Sequence, residues 1–317
     1  MKIYVAGHRG LVGSAIVRAI ESGGKHAWIG QSRSELDLLD RKAVFEYLAN
    51  EKPDAVVIAA AKVGGIHAND TSPVQFLTEN LQIESNLMDA AHAAGIPRLL
   101  FLGSSCVYPK LAQQPIKEEY LLTGELEKTN EAYALAKIAG LKLVQAYRKQ
   151  YGHQWISAMP TNMYGPGDNF DLENSHVLPA LIRKFHDANT QGKASVVLWG
   201  TGSPKREFLH SDDLGRACVY LLENYDDDLA INVGVGQDVS IKELAELIQG
   251  VVGFAGEIEW DSSKPDGTPR KLLDVSRISS LGWRAQIGLK DGIHSTYEWF
   301  KGNNPGMDIK VQTGQNT

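Results

Sequence analysis

Tyr133 and Lys137 stand four residues apart in Asn130-Glu131-Ala132-Tyr133-Ala134-Leu135-Ala136-Lys137, a spacing that puts both side chains on one helix face. A tyrosine of pKa about 10 is a poor acid–base group at neutral pH, and a lysine cation beside it favours the phenolate and lowers that value. A tyrosine tuned in this way gives or takes a hydroxyl proton while a hydride moves to or from the same carbon. Alone, a Tyr-x-x-x-Lys pair is mostly surface decoration, and it gains weight from its company. Gly7-His8-Arg9-Gly10-Leu11-Val12-Gly13 is a GxxGxxG turn directly after an apolar run, where backbone amides at a helix amino end hold a pyrophosphate. Leu102-Gly103-Ser104-Ser105 follows a later apolar run. Ser104 there is a candidate donor to a substrate oxygen alongside Tyr133, although a serine pair after a strand is more often a turn or helix cap.

The end of the second strand separates NAD from NADP, because an acidic residue there binds the ribose 2′-hydroxyl whereas arginine pairs a 2′-phosphate. That region reads Gln31-Ser32-Arg33-Ser34, with no acidic residue before Glu35. Arg33 and Arg9 supply two guanidinium groups suited to a phosphate monoester. NADP(H) is therefore the expected cofactor, the bland alternative being two solvated surface arginines.

The elements that must position these groups alternate. Ile3–Ala6 reads as a strand and Leu11–Glu21 as a helix by its spacing of apolar residues. Strands at His26–Ile29, Ala55–Ala60, Arg98–Leu102 and Ile156–Met159 then interleave with helices at Arg41–Asn50, Pro73–Ala94 and Glu131–Tyr151. Short strands apolar on both faces between helices predict an α/β fold with a doubly wound parallel (Rossmann) sheet. After about Tyr164 glycine- and proline-rich pieces separate helices His176–Ala188 and Asp212–Glu223, which predicts a second, smaller α/β substrate lobe. Val239–Val252 reads as helical, with Ser240 and Glu243 as a capping box. The expected division is 1–164, rejoined by about 207–234, for the dinucleotide domain, and 165–206 with 235–302 for the substrate lobe. The polar, aperiodic residues 303–317 read as a flexible tail.

A chain of 317 residues, 43% of them hydrophobic, is long enough for two lobes. Its net charge of −6 lacks the basic excess that nucleic acid or an anionic membrane surface requires. Neither is expected as a partner. Cys106 and Cys218 are the two cysteines and form no disulfide framework, CxxC pair or metal pattern. With a strand pattern from the first residues and no apolar run near the length of a membrane span, a cytoplasmic setting is expected.

With these motifs in order, the sequence resembles the extended short-chain dehydrogenase/reductases and, more narrowly, the GDP-L-fucose synthase family. The resemblance runs from Ala6 to about Phe300. It rests on Ala-Gly-His-Arg-Gly at 6–10, Ala-Ala-Ala-Lys-Val-Gly-Gly-Ile at 59–66 and Gly-Ser-Ser-Cys-Val-Tyr-Pro-Lys at 103–110. It continues through Pro-Thr-Asn-Met-Tyr-Gly-Pro at 160–166, Asn-Ser-His-Val at 174–177, Arg-Glu-Phe-Leu-His at 206–210 and Lys-Pro-Asp-Gly-Thr-Pro-Arg-Lys at 264–271. The resemblance implies a bifunctional enzyme that epimerises GDP-4-keto-6-deoxy-D-mannose at C3 and C5 and then reduces C4 with NADPH.

Under that resemblance Cys106 and His176 match the acid–base pair of the epimerisation. Ser104, Tyr133 and Lys137 would stabilise the enolate and then protonate O4. Leu36, Leu102, Gly103, Ser105, Pro160, Thr161, Asn162, Met163 and His176 join the glycine turn, Arg33 and Lys137 around the cofactor. Lys184, Trp199, Arg206, Asp266 and Lys271 are expected on the GDP-linked keto-sugar, Lys184 standing where the family pattern has arginine. A homodimer through helices 73–94 and 131–151 is implied, and no metal. Cys218 and, without its sequence context, His176 equally fit structural roles, a buried small hydrophobe and a helix cap. The rival readings are a nucleotide-sugar 4-epimerase or 4,6-dehydratase, which recycles tightly held NAD, and a non-catalytic dinucleotide sensor, which would need the glycine turn alone.

Overall fold

Strands buried on both sides alternate their side chains between two helical layers, and this builds the larger lobe. The computed structural model describes residues 1–172, 175–264 and 266–303, apart from the side chains of residues 66 and 67. Asn174, Pro265 and residues 304–317 of the tail thus lie outside the described residues. The first half alternates strictly: β1 (Lys2–Ala6), α1 (Leu11–Gly23), β2 (Ala27–Ile29), α2 (Arg41–Glu51), β3 (Ala55–Ile58), a short α3 (Ile66–Thr71), α4 (Pro73–Ala93), β4 (Arg98–Leu102), α5 (Glu131–Tyr151) and β5 (Gln154–Pro160). The second half is more broken: β6 (Asn162–Tyr164), α6 (Val177–Thr190), β7 (Ser195–Trp199), β8 (Lys205–Arg206), β9 (Phe208–His210), α7 (Ser211–Asn224), β10 (Ile231–Val233), β11 (Val239–Ser240), α8 (Ile241–Val252), β12 (Glu257–Asp261), β13 (Arg270–Lys271), α9 (Ser276–Ser280) and α10 (Leu289–Asn303).

Six strands form one parallel sheet in the order β10-β5-β4-β3-β1-β2. Ile3, Val5, Ala55, Val57, Leu100 and Ile156 face α1 and α7, where they pack with Ile16, Ile20, Leu214 and Leu221. Their neighbours Tyr4, Val56, Ile58, Leu99, Phe101 and Trp155 face α2, α4 and α5, meeting Val44, Leu48, Leu87, Leu141 and Val144. Period-two burial on both faces is the signature of a sheet covered on each side. Strand order reverses at β1, with β2 on one side and β3 on the other, so a crevice opens at the carboxyl ends of β1 and β3.

A third core joins Leu178, Ile182 and Phe185 of α6, Leu244 and Ile248 of α8, Val196 and Leu198 of β7, and Ile293 and Phe300 of α10. This is the smaller lobe. Two details differ from the sequence reading. Val239 and Ser240 form a strand against Arg206 and Lys205, and the helix begins at Ile241 because the Ser240–Glu243 capping box is made there. Leu273, Ile278 and Trp283, read as part of the second lobe, return to the two cores flanking the large sheet. A segment that crosses back between lobes leaves no break in its local pattern.

Candidate active site

The glycine turn links β1 to α1. Gly10 N–H donates to the Gly7 carbonyl at 2.9 Å and Ser14 N–H to the Gly10 carbonyl at 2.9 Å, which closes the turn against the helix start. A Cβ on Gly13 would fall 2.0 Å from the Gly7 carbonyl oxygen, so a side chain there pushes the turn apart. Leu11 and Val12 open α1 between these contacts. A cleft of about 660 Å³ lies over the turn, lined by Gly7, His8, Arg9, Gly10, Gln31, Ser32, Arg33, Ser34 and Asp37. Arg9 and Arg33 therefore share one wall. The His8 ring packs 5.6 Å from Trp28; its Nδ1 is buried without a protein partner, and burial followed by the Arg9 charge lowers its pKa. An unsatisfied ring nitrogen beside two guanidinium groups at a helix amino end fits a dinucleotide diphosphate with a 2′-phosphate.

Leu36 does not join that lining. Its N–H donates to the Ser32 carbonyl at 2.9 Å, and the resulting turn directs its side chain into the core with Tyr4, Val44 and Leu48. Asp37 and Gln31, which the sequence reading passed over, face the cleft in its place. Leu102 ends β4, with Gly103 and the buried Ser105 immediately after it. Pro160 ends β5, while the side chains of Thr161 and Asn162 donate to the Glu207 carbonyl at 3.3 and 2.8 Å. Met163 packs against the sheet core.

Ser104 leaves β4 at the sheet's carboxyl edge. Its hydroxyl accepts from Cys106 N–H at 3.2 Å, capping a single 3-10 turn, and also hydrogen-bonds Tyr133. The cap and the candidate catalytic role are thus compatible. Lys137 lies one turn along α5 from Tyr133, with its ammonium 5.9 Å from the Tyr133 ring centroid. The expected lowering of the Tyr133 pKa is overturned: burial, then Cys106 and Glu84, raise it. The Lys137 ammonium itself lies 3.0 Å from the Glu84 carboxylate, both side chains only 2% exposed.

Cys106 is partly buried, and two side chains donate to its sulfur: Asn130 Nδ2 at 3.3 Å and Lys271 Nζ at 3.5 Å. His176 occupies the N-cap position of α6, yet its side chain makes no cap hydrogen bond. It is exposed at the rim, with enough protein around the ring that burial, and then the Lys271 cation, lower its pKa. Lys271 thus bears on both members of the Cys106/His176 pair, donating to the sulfur of one and lowering the pKa of the other. Cys218 is fully buried in the sheet core and its thiol pKa is pushed up by burial, as its assignment to packing anticipates.

In the second lobe Trp199 is exposed, with Lys184 and Lys264 ammonium groups 5.7 and 5.6 Å from its ring centroid. Burial lowers the pKa of Lys184 and of Arg206. Arg206 and Lys271 are register partners on β8 and β13, so two cationic residues stand side by side, one of them donating to the Cys106 sulfur. Asp266 spends its carboxylate locally, accepting from Thr201 N–H at 2.7 Å and the Thr201 hydroxyl at 2.8 Å. Glu207, unremarked in the sequence, ties the lobes: its buried carboxylate accepts from Val235 and Gly236 N–H at 2.6 Å and from Leu273 N–H at 3.1 Å. A charged residue flanked by Arg206 and Phe208 gives no local hint of that position.

Comparison with known proteins agrees with this geometry. Residues 3–234 match the NAD dependent epimerase/dehydratase family. The chain is 57% identical over 302 residues to "GDP-L-fucose synthase 1" of Arabidopsis thaliana, covering 95% of this chain and 94% of that protein. It is 53% identical over 311 residues to the GDP-L-fucose synthase of Escherichia coli K12, covering 95% and 97%. Among solved structures, a GDP-L-fucose synthetase from Naegleria fowleri bound to NADP superposes with a TM-score of 0.89 at 29% identity, covering 97% of this chain and 96% of that one. On its motifs, fold and relatives, this chain belongs to the NAD dependent epimerase/dehydratase family and, within it, to the GDP-L-fucose synthases.

Proposed function

We propose that this chain converts GDP-4-keto-6-deoxy-D-mannose to GDP-L-fucose, inverting C3 and C5 and then reducing C4, with NADP(H) as its redox cofactor. The observation that carries the reading is the meeting of two proton-transfer sets at one sheet edge: Ser104 with Tyr133, and Cys106 with its Asn130 and Lys271 donors. A ketone at C4 acidifies the protons at C3 and C5. The Cys106 sulfur removes such a proton, the bond electrons move into the C4 carbonyl as an enolate, and Ser104 and Tyr133 hold its oxygen. His176, on the opposite side of the reacting carbon, returns a proton there to complete each inversion. Arg9 and Arg33, which line the cleft over the glycine turn, would hold NADPH, whose chemistry when bound would be delivery of a hydride to C4. Tyr133 then protonates O4, so one oxygen-binding set serves both stages. Lys184, Arg206 and Trp199 hold the nucleotide end.

The test mixes purified protein with NADPH and GDP-4-keto-6-deoxy-D-mannose, follows loss of the reduced nicotinamide absorbance, and identifies the sugar by NMR. GDP-L-fucose with release of NADP+ is the expected result. A product isomerised without net oxidation of NADPH would turn the reading to a 4-epimerase; reduction without inversion would remove Cys106 and His176 from the chemistry.

Val74 on α4 and Leu135 and Tyr151 on α5 are exposed apolar side chains, and these two helices pack side by side on one face of the sheet. They support a homodimer in which α4 and α5 of two copies form a four-helix bundle. Sedimentation at micromolar concentration is expected to return twice the 34.7 kDa chain mass, and a monomer would end this proposal. No helix among the described residues is long and apolar enough to cross a membrane. With two unpaired thiols, one of them proposed as a catalyst, a reducing cytoplasm is the setting that fits.

A further inference from the structure

Glu35 belongs to the segment that walls the dinucleotide cleft, yet the lining passes from Ser34 to Asp37 without it. Its carboxylate is turned back on its own chain. Ser32 N–H and the Ser32 hydroxyl both donate to Glu35 Oε2, at 2.7 and 2.6 Å. The Ser32 carbonyl in turn accepts from Glu35 N–H at 3.0 Å and Leu36 N–H at 2.9 Å, so one turn is closed from both sides. Leu36 pins its foot in the core, and Arg33 and Ser34 are exposed at its tip. With its own hydrogen given to the carboxylate, the Ser32 hydroxyl accepts from the Ser34 hydroxyl 3.0 Å away. These bonds, the hydroxyl's first, hold the Glu35 pKa below the usual carboxylate range, and the charges of Arg9 and His8 act in the same direction. An ionised carboxylate thus stands beside the guanidinium of the glycine turn, tied away from it by Ser32.

We infer that Ser32 determines the preference for NADPH over NADH by clamping the Glu35 carboxylate, which keeps that negative charge off Arg9 and off the 2′-phosphate that Arg9 and Arg33 would hold. An acidic side chain near the end of the second strand accepts from a ribose 2′-hydroxyl. It can offer a phosphate nothing, because an ionised carboxylate only accepts hydrogen bonds, and it repels the added charge. Released from Ser32, Glu35 would compete with the phosphate for the Arg9 guanidinium, since carboxylate and phosphate suit the same planar fork. Selectivity is a difference between two affinities, and a clamp that silences a group favouring NADH acts on that difference without touching either cofactor. Asp37, the other acid on this wall, is likewise bound to its own backbone, accepting from Leu39 N–H at 3.1 Å. The inference rests on the reading that NADP(H) occupies this cleft.

The test needs no sugar: Kd values for NADPH and for NADH are measured on the protein by quenching of its fluorescence. Ser32→Ala removes one of the two donors, and its Kd for NADPH is expected to rise about two- to fivefold, the scale of one exposed charge interaction. Its Kd for NADH is expected to hold or fall. That penalty should shrink as salt is added, because exposed charges are screened beyond about 10 Å at 0.1 M ionic strength. Glu35→Gln leaves no charge to clamp, and its Kd for NADPH is expected not to rise. In the double variant Ser32→Ala/Glu35→Gln the NADPH affinity should therefore return to that of Glu35→Gln. A Ser32→Ala variant that keeps the parent's ratio of NADPH to NADH affinity overturns the inference, as does one that loses both cofactors equally. So does a double variant as weak for NADPH as Ser32→Ala, since the hydroxyl would then serve the phosphate directly. A parent that binds NADPH no better than NADH removes the cofactor reading and this inference together, whereas failure among the variants alone leaves the cofactor reading standing.

Discussion

Tyr133→Phe is expected to lower the rate of NADPH oxidation by the keto-sugar by between about a hundredfold and ten-thousandfold, the usual contribution of a positioned general acid. The substitution removes one hydroxyl and keeps the ring that packs edge-on with Phe76 at 6.5 Å, so fold and cofactor affinity are expected to persist. The hydroxyl's other bond is to Ser104, whose Oγ keeps its backbone partner at Cys106. The loss should therefore fall on kcat and spare the Kd for NADPH, measured by quenching of protein fluorescence. Undiminished turnover would remove Tyr133 from the chemistry and leave the Ser104 hydroxyl as proton donor.

Cys106→Ser separates the two halves of the reaction. A serine hydroxyl in place of the thiol holds its proton far more tightly, so abstraction from C3 and C5 should slow by about two to four orders of magnitude. In D2O, without NADPH, the parent is expected to exchange both sugar protons for deuterium, and the variant neither on the same timescale. Reduction of the unepimerised ketone persists in the variant, because Ser104 and Tyr133 are untouched. Asn130 Nδ2 and Lys271 Nζ can donate to a serine oxygen as they donate to the sulfur, which keeps the local contacts. Unchanged exchange would make Cys106 structural. The thiol is also addressable: Cys218 is fully buried, so an alkylating reagent applied to the folded protein reads Cys106, and substrate should protect it.

Much of this protein was legible before any fold was known. Glycines at 7, 10 and 13, the two arginines, and the Tyr133/Lys137 spacing are local patterns, and local patterns survive into structure because turn and helix geometry act over a few residues. The alternation of short apolar runs with helical periods specified a parallel sheet for the same reason. Even Ser240 and Glu243 announced their capping box, and only the strand residue before it was misplaced. The seven family blocks add residue identities such as Cys106 and His176 that chemistry alone would leave among several alternatives.

What tertiary structure decided was the electrostatic state of those residues. Four-residue spacing placed Lys137 near Tyr133, but not the Glu84 carboxyl group that stands 3.0 Å from it on another helix. A glutamate on an apolar helical stripe was the available signal, and its partner could not be named from α4 alone. Lys271 reaches Cys106 across a separation of 165 residues, and it bears on His176 as well. Leu36 turned inward and Glu207 became a tie between lobes through contacts equally remote in sequence. Proton affinity is a sum over burial and over every charge within a few ångströms, most of them brought there by long-range packing. The sequence by itself determined which groups gather at the glycine turn and at the sheet's carboxyl edge; the assembled fold determined the burial and the charges that surround each of them.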